Sequence, residues 1–309
     1  MNQNKKKRSG LISYILLLTV SMIWGFAFVA QRLGAEHVGA FVFNGVRFAL
    51  GAVSLVPVVL IFEREKTDKN KNKNTIKYGI MVGTVLFLAS SLQQYGIEIT
   101  QSAGKSGFIT ALYTVFVPIA SCVIYKQKKS IFVWLGATIS LAGLFLLSVG
   151  EGFSVGFGDI MLLLCAFGWT AQIMMIDAFV GKVSPLKFSM VQFATCAILS
   201  LVGGLIFEGD TFTVSALRSA LAPILYGGLM SVGIAYTLQI VAQKNADPTT
   251  AAIIFSTEAA FSAIGAAIIL KEVMQVRGYI GCVLIFAGLV LAQLKLKKKS
   301  RQDEKQEAL

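Results

Sequence analysis

Charged side chains are scarce in this 309-residue chain: Asp, Glu, Lys and Arg make up 14% of it, where a soluble domain carries about 25%. That shortage excludes water as the main solvent of the fold. Histidine is nearly missing as well. The single His37 has no Cys or His ligand set around it, so neither a metal centre nor a cofactor is expected. The four cysteines, Cys122, Cys165, Cys196 and Cys282, fall inside apolar stretches without CxxC spacing and read as packing residues. Acidic residues are outnumbered 16 to 28 by basic ones, a net charge of +12. Such a balance suits nucleic acid only when the charge shares one exposed face. Here it sits at the chain ends and in alternate loops, so no nucleic-acid partner is expected.

Two catalytic motifs are begun and not completed. AGKSGF around Lys105 resembles the tail of a phosphate-binding loop, but the glycine required five residues before Gly104 is Ile99. GFGD ending at Asp159 resembles the motif of intramembrane aspartyl proteases, whose chemistry needs two carboxylates sharing a proton. Asp159 and Asp177 lie roughly 27 Å apart along one helix. With no nucleophile, metal set or cofactor motif assembled, a membrane enzyme is a remote alternative.

What fills the sequence instead is apolar: 55% hydrophobic residues and a mean hydropathy of +0.71. A bilayer core about 30 Å thick needs about 20 apolar residues per helical span. Ten such runs follow one another, at 11–30, 39–62, 76–96, 102–125, 131–149, 158–180, 184–207, 219–242, 248–270 and 276–294. The chain reads as an all-α, multi-pass protein of the cell (inner) membrane. Lys5 to Arg8 followed by Leu11 to Ala30 resembles a signal peptide, but the run is long and lacks a clear A-x-A site, so it is expected to stay as the first span. Of the 28 Lys and Arg, 22 lie in, or within one helical turn of, one set of alternate segments: the tail 1–10, the loops after spans two, four, six and eight, and the tail 295–309. Positive charge marks the cytoplasmic side, so both termini are expected there. EREKTDKNKNKN, between spans two and three, has no apolar periodicity and is expected to be a solvated loop.

Sliding the chain against itself by 145 residues aligns its halves without a gap. Trp24 meets Trp169, Glu63 meets Glu208, Gln94 meets Gln239, Lys126 meets Lys271, and Ala142-Gly143-Leu144 meets Ala287-Gly288-Leu289. The repeats are 11–149 and 158–294. Each holds an odd number of spans, so the second enters the membrane from the opposite side. Inverted repeats suit alternating access, with a site near the midplane between the halves.

Ionisable groups within a span normally face a cavity or a partner. Glu258 lies roughly 15 Å into span nine, the bilayer centre, and its repeat mate Tyr113 sits at equal depth in span four. Keeping a carboxylate charged at that depth is costly, which makes Glu258 the proton-coupling candidate. Arg47 in span two and Lys105 near the surface end of span four are the cationic candidates. Arg47 either pairs structurally with Glu258 or binds substrate, and Lys105 either snorkels or does the same. Trp24 and Trp169 serve either as helix packing or as an aromatic cavity wall. Gln94 and Gln239, near opposite membrane surfaces, either line two gates or bond neighbouring helices. The glycine rows Gly79/Gly83, Gly136/Gly143 and Gly281/Gly288 allow close helix approach.

FNGVRFALGAVSLVP in span two, SAGKSGFITALYTVFVPI in span four, the stretch AYTLQIVAQKNADPTTAAIIFSTEAAFSAIGAAIILKE across spans eight and nine, and the closing GYIGCVLIFAGLVL resemble the EamA-type family of the drug/metabolite transporter superfamily. The similarity covers nearly the whole chain. It implies a secondary transporter with a central cavity, peripheral spans five and ten, and substrates among amino acids, metabolites or drug-like compounds. The chain departs from the family at one point: Glu-Pro is frequent in span nine, and here Glu258 is followed by Ala259, which removes the basis for a proline kink. The function expected is export of small polar metabolites, amino acids or derivatives. The alternative is efflux of organic cations held by Trp24, Trp169 and Tyr113, with Glu258 as counter-charge. The expected partners are a small-molecule substrate, the lipid bilayer and a possible second copy of the chain.

Overall fold

The computed structural model describes residues 3–63, 69–101, 103–126, 128–148, 156–210, 212–271 and 276–292; for 3–10, 103–105 and 147–148 it describes the backbone alone. Every described element is helical, as a chain passing through lipid requires, since a helix satisfies its backbone N–H and C=O groups internally. Spans one to three are the helices Gln3–Ala35, Ala40–Phe62 and Lys69–Thr100. Span four is split into Ala103–Thr110 and Tyr113–Tyr125, and span five is Ile131–Ser148. Spans six and seven are Phe157–Phe179 and Pro185–Phe207. Span eight, Leu221–Gln243, is wound as a wide π-helix over Tyr226–Tyr236. Span nine is split into Pro248–Phe255 and Glu258–Ile269, and span ten is Val276–Ala292. Eight of these are long and apolar enough to cross a membrane, and two shorter apolar helices, Ile131–Leu146 and Val276–Ala292, complete the set.

One expectation is corrected. Half of the Lys/Asn-rich stretch is not a loop: span three begins at Lys69, so KNKNKN forms an exposed helical extension. Adding turns to an existing helix avoids the cost of nucleation, and the long apolar helix behind these residues supplies the nucleus. Residues 64–68 lie outside the described structure.

The two splits fall at the same place in the repeat. Leu112 N–H bonds Ile109 O at 3.2 Å, and 145 residues on Thr257 N–H bonds Ile254 O at 3.1 Å, each a tighter turn than the helix around it. No proline takes part. Side chains satisfy carbonyls beside the split in span nine: Ser21 Oγ donates to Phe255 O at 3.1 Å and Thr114 Oγ1 to Ala252 O at 3.4 Å. Spans four and nine also end alike, on Lys126 and Lys271 with φ of 52° and 55°. A left-handed residue there stops the helix and turns the chain into the next span.

The halves pack as an interleaved pair, with span two on seven, three on six and seven, one on nine, and five on ten. Spans five and ten meet backbone to backbone, since a side chain at Gly136 would strike Gly288 O and one at Gly143 would strike Gly281 O. Ser140 Oγ donates to the carbonyl of its own repeat mate, Ile285, at 3.4 Å. At the other contact each half caps the other. The Glu63 carboxylate, at the end of span two, accepts the N–H groups of Leu186 and Lys187, both at 3.1 Å. Glu208, at the end of span seven, accepts those of Phe41 and Val42 at 3.0 and 2.8 Å. An anion at a helix N-terminus fills donors that have no partner in the helix and opposes the positive end of its dipole.

Each glutamate therefore stabilises the opposite repeat. Glu63→Ala and Glu208→Ala are each expected to cost about 1–2 kcal/mol, and the double variant the sum, because the sites lie at opposite ends of one helix pair. Thermal unfolding of the detergent-solubilised variants measures this.

Candidate functional site

Phe48 and its repeat mate Phe193 bring their rings within 6.3 Å, and Tyr113 donates from its hydroxyl to Glu258 Oε1 at 2.8 Å. Residues that touch their own mates lie on the pseudo-twofold axis relating the halves, and a cavity of about 450 Å³ straddles that axis. Five mate pairs contribute to its walls: Trp24 with Trp169, Ala27 with Gln172, Phe28 with Ile173, Thr110 with Phe255, and Tyr113 with Glu258. Within these pairs the positions are equivalent, and apart from the tryptophans the chemistry is not. Tyr113 and Glu258 each open the second piece of a split span. The split thus sets the Glu258 carboxylate on a helix N-terminus, whose dipole favours negative charge at the middle of the bilayer.

Six of the expected site residues line this cavity: Trp24, Arg47, Tyr113, Trp169, Gln239 and Glu258. Gln94 does not. Its amide donates to Gln31 O at 3.1 Å, and the next residue, Gln93, faces the cavity instead. One residue is about 100° of helix rotation, which decides the wall from the packing. The Lys105 side chain lies outside the described structure.

Arg47 and Glu258 share the cavity without forming an ion pair with each other. The Arg47 Nε donates to Asn44 Oδ1 at 2.9 Å, and the guanidinium carbon lies 5.4 and 4.9 Å from the ring centres of Phe43 and Phe48. Asn44 is itself fixed by a 3.0 Å bond from its amide to Ser90 O. Held this way, Arg47 lines the cavity with no carboxylate bonded to it. A Cβ at Gly227, in the wide-wound part of span eight, would come within 3.2 Å of Arg47 Cδ, so glycine there lets the arginine stem pack close to span eight.

The aromatic wall is built around Tyr236, whose ring centre lies 4.7 Å from Trp24, 6.1 Å from Trp169 and 6.0 Å from Phe48. Sequence reasoning missed Tyr236 and Gln172. Gln172 was within reach, because it is an amide inside a span like Gln94 and Gln239. Gln172 and Gln239 exchange amide bonds at 3.2 and 3.1 Å. Beyond them, on the side of the turn between spans four and five, Gln243 Nε2 donates to Ile173 O at 3.2 Å. Further out, Tyr125 donates to Asp177 at 2.7 Å and Lys129 meets Asp247 at 3.5 Å. This end, called here the Lys129 end, is tied shut. Gln31, Arg47 and Gln93 carry the cavity toward the opposite, Gly39 end.

The EamA-like transporter family model matches residues 11–149 and again 156–294, two segments offset by the same 145 residues. The chain belongs to the EamA-like transporter family. Among relatives of this transporter, an uncharacterized transporter of Archaeoglobus fulgidus is 26% identical over 91% of this chain and 85% of its own. The uncharacterized transporter YoaV of Bacillus subtilis is 24% identical over 72% of this chain and 76% of its own. A WAT1-related protein of Arabidopsis thaliana is 22% identical over 93% and 86%. A crystal structure with 18% sequence identity superposes with a TM-score of 0.74, covering 91% of this chain and 96% of the other, which shows the fold.

Because Arg47 and Glu258 have separate partners, neutralising one does not orphan the other. Arg47→Gln, Glu258→Gln and the double variant should all be recovered folded, and a double-mutant cycle on thermal unfolding should give a coupling below about 0.5 kcal/mol. A directly paired, buried Arg–Glu would show several times that.

Proposed function

We propose that this transporter exports small zwitterionic metabolites, amino acids or their derivatives, by alternating access. The observation that carries the reading is the pair of opposite charges, Arg47 and Glu258, lining one cavity with neither neutralising the other. A zwitterion meets both, its carboxylate at the Arg47 guanidinium and its ammonium at Glu258. Charge-assisted hydrogen bonds of this kind are roughly twice as strong as neutral ones. The alternative cargo, an organic cation, would find the aromatic wall and Glu258 attractive but would be repelled by Arg47 in the same enclosed space. The amides of Gln31, Gln93 and Gln172 suit a polar rather than a greasy solute.

In this reading the termini are cytoplasmic and the protein sits in the cell (inner) membrane, following the distribution of Lys and Arg. The Lys129 end then faces the cytoplasm and the cavity points outward. Glu258 serves as the proton carrier: proton and substrate ammonium compete for one carboxylate, so inward proton movement drives substrate out by exchange. Tyr113 holds the carboxylate in place between substrates.

Proteoliposomes loaded with a mixture of labelled amino acids should release them faster than empty-vesicle controls when an inward proton gradient is applied. Glu258→Gln should abolish the uphill component yet retain exchange at zero gradient. Folded Glu258→Gln that still pumps uphill with an unchanged pH profile would end the proton-carrier idea, and no movement of any amino acid would end the cargo assignment. Resistance to cationic dyes on overexpression, without resistance to amino-acid analogues, would favour the organic-cation alternative.

A further inference from the structure

Six residues of the cavity wall stand without their repeat mates beside them: Gln31, Arg47, Gln93, Ser231, Tyr236 and Gln239. Their mates, 145 residues away, are Ile176, Gln192, Leu238, Leu86, Ser91 and Gln94. Three of these are apolar. The other three, Ser91, Gln94 and Gln192, are buried, and each carries a polar atom with no hydrogen-bond partner: Ser91 Oγ, Gln94 Oε1, and both Nε2 and Oε1 of Gln192. A buried amide with both atoms unpaired is costly, and such groups are rare in folded proteins. Single unpaired atoms occur elsewhere among the described residues, at Ser121, Thr237 and Gln243 for example, but Gln192 alone of these residues has both amide atoms unpaired, and its mate Arg47 faces substrate space.

The equivalence of Arg47 and Gln192 rests on more than one match. Phe43-Asn44-Gly45-Val46-Arg47-Phe48 and Phe188-Ser189-Met190-Val191-Gln192-Phe193 share both phenylalanines and the valine, and Phe48 and Phe193 meet at the axis. Gln192 lies seven residues into span seven, which starts at Pro185, within the half of the bundle tied shut at the Lys129 end. In an inverted-repeat transporter, opening the other face gives each half the conformation its partner had before. We infer that Ser91, Gln94 and Gln192 line the substrate cavity of the opposite access state, with Gln192 taking the place of Arg47.

A change in chemistry follows. In the present state an anionic group of the solute meets a guanidinium; in the opposite state the same group meets a neutral amide. The carboxylate is therefore held more tightly when the cavity faces the Gly39 end than when it faces the Lys129 end. The amide atoms of Gln192, without a protein partner in this state, face water or substrate when that half opens. This assignment of ligand chemistry rests on the zwitterion reading above, whereas the assignment of the three residues to the second cavity does not.

The test begins with single cysteines placed in a background carrying Cys122→Ala, Cys165→Ala, Cys196→Ala and Cys282→Ala, and probed with a membrane-impermeant methanethiosulfonate on right-side-out and inside-out vesicles. Arg47→Cys is expected to react from one face and Gln192→Cys from the other. Gln94→Cys, the milder change should Gln192→Cys fail to fold, is expected to react from the Gln192 face. Either of these left unlabelled from both faces, or labelled from the Arg47 face, overturns the inference, whatever the substrate proves to be. For the chemistry, Gln192→Arg is expected to raise the apparent affinity for an exchanged labelled amino acid about tenfold at the Lys129 face alone. Gln192→Leu is expected to lower it at that face. Gln192→Leu that is more stable and transports equally from both faces would instead mark Gln192 as packing.

Discussion

The hydrogen bond between Tyr113 and Glu258 can exist only if two residues 145 apart in the chain stand on the axis that exchanges the halves. Much of the structure depends on that condition. It brings spans four and nine together at mid-depth, where both are broken and their second pieces begin. It brings Phe48 against Phe193 and Ser140 against the backbone of Ile285. A cavity centred on such an axis inherits pairs of walls from equivalent positions. Function then depends on where the pairs differ: a phenol facing a carboxylate, an alanine facing an amide.

The fold was legible because its signals are additive. Each apolar run is long, charge alternates from loop to loop, and the 145-residue register persists without a gap, so no single residue has to be read correctly. The site was less legible because it depends on rotation and reach. Gln94 and Gln93 differ by one step around a helix, and periodicity in an apolar span does not say which of them faces lipid, packing or cavity. Equal depth made Tyr113 and Glu258 equivalent in sequence but did not show that they touch. Arg47 and Glu258 invited pairing as the opposite charges of neighbouring depth; Asn44, unremarkable in sequence, takes the arginine's Nε instead.

The absence of proline at position 259 shows how a local rule is met by other means. A proline would open the helix by removing a donor. Here the turn tightens at Thr257, and hydroxyls from spans one and four, Ser21 and Thr114, reach carbonyls of span nine. The equivalent break at Leu112 has the same turn. Position in the repeat, rather than one residue type, marks where the span divides, and that preserves the placement of Glu258 at a helix start.

The crossed capping by Glu63 and Glu208 has a consequence for how the protein is made. When the ribosome has delivered only the first repeat to the membrane, the start of span two has open N–H groups and Glu63 has nothing to cap, because the residues that complete both lie at 186–208. Neither repeat supplies the carboxylate that caps the start of its own second span. Until span seven inserts, water stands in at those N–H groups, and the order of synthesis ties the protein cap of span two to the arrival of span seven.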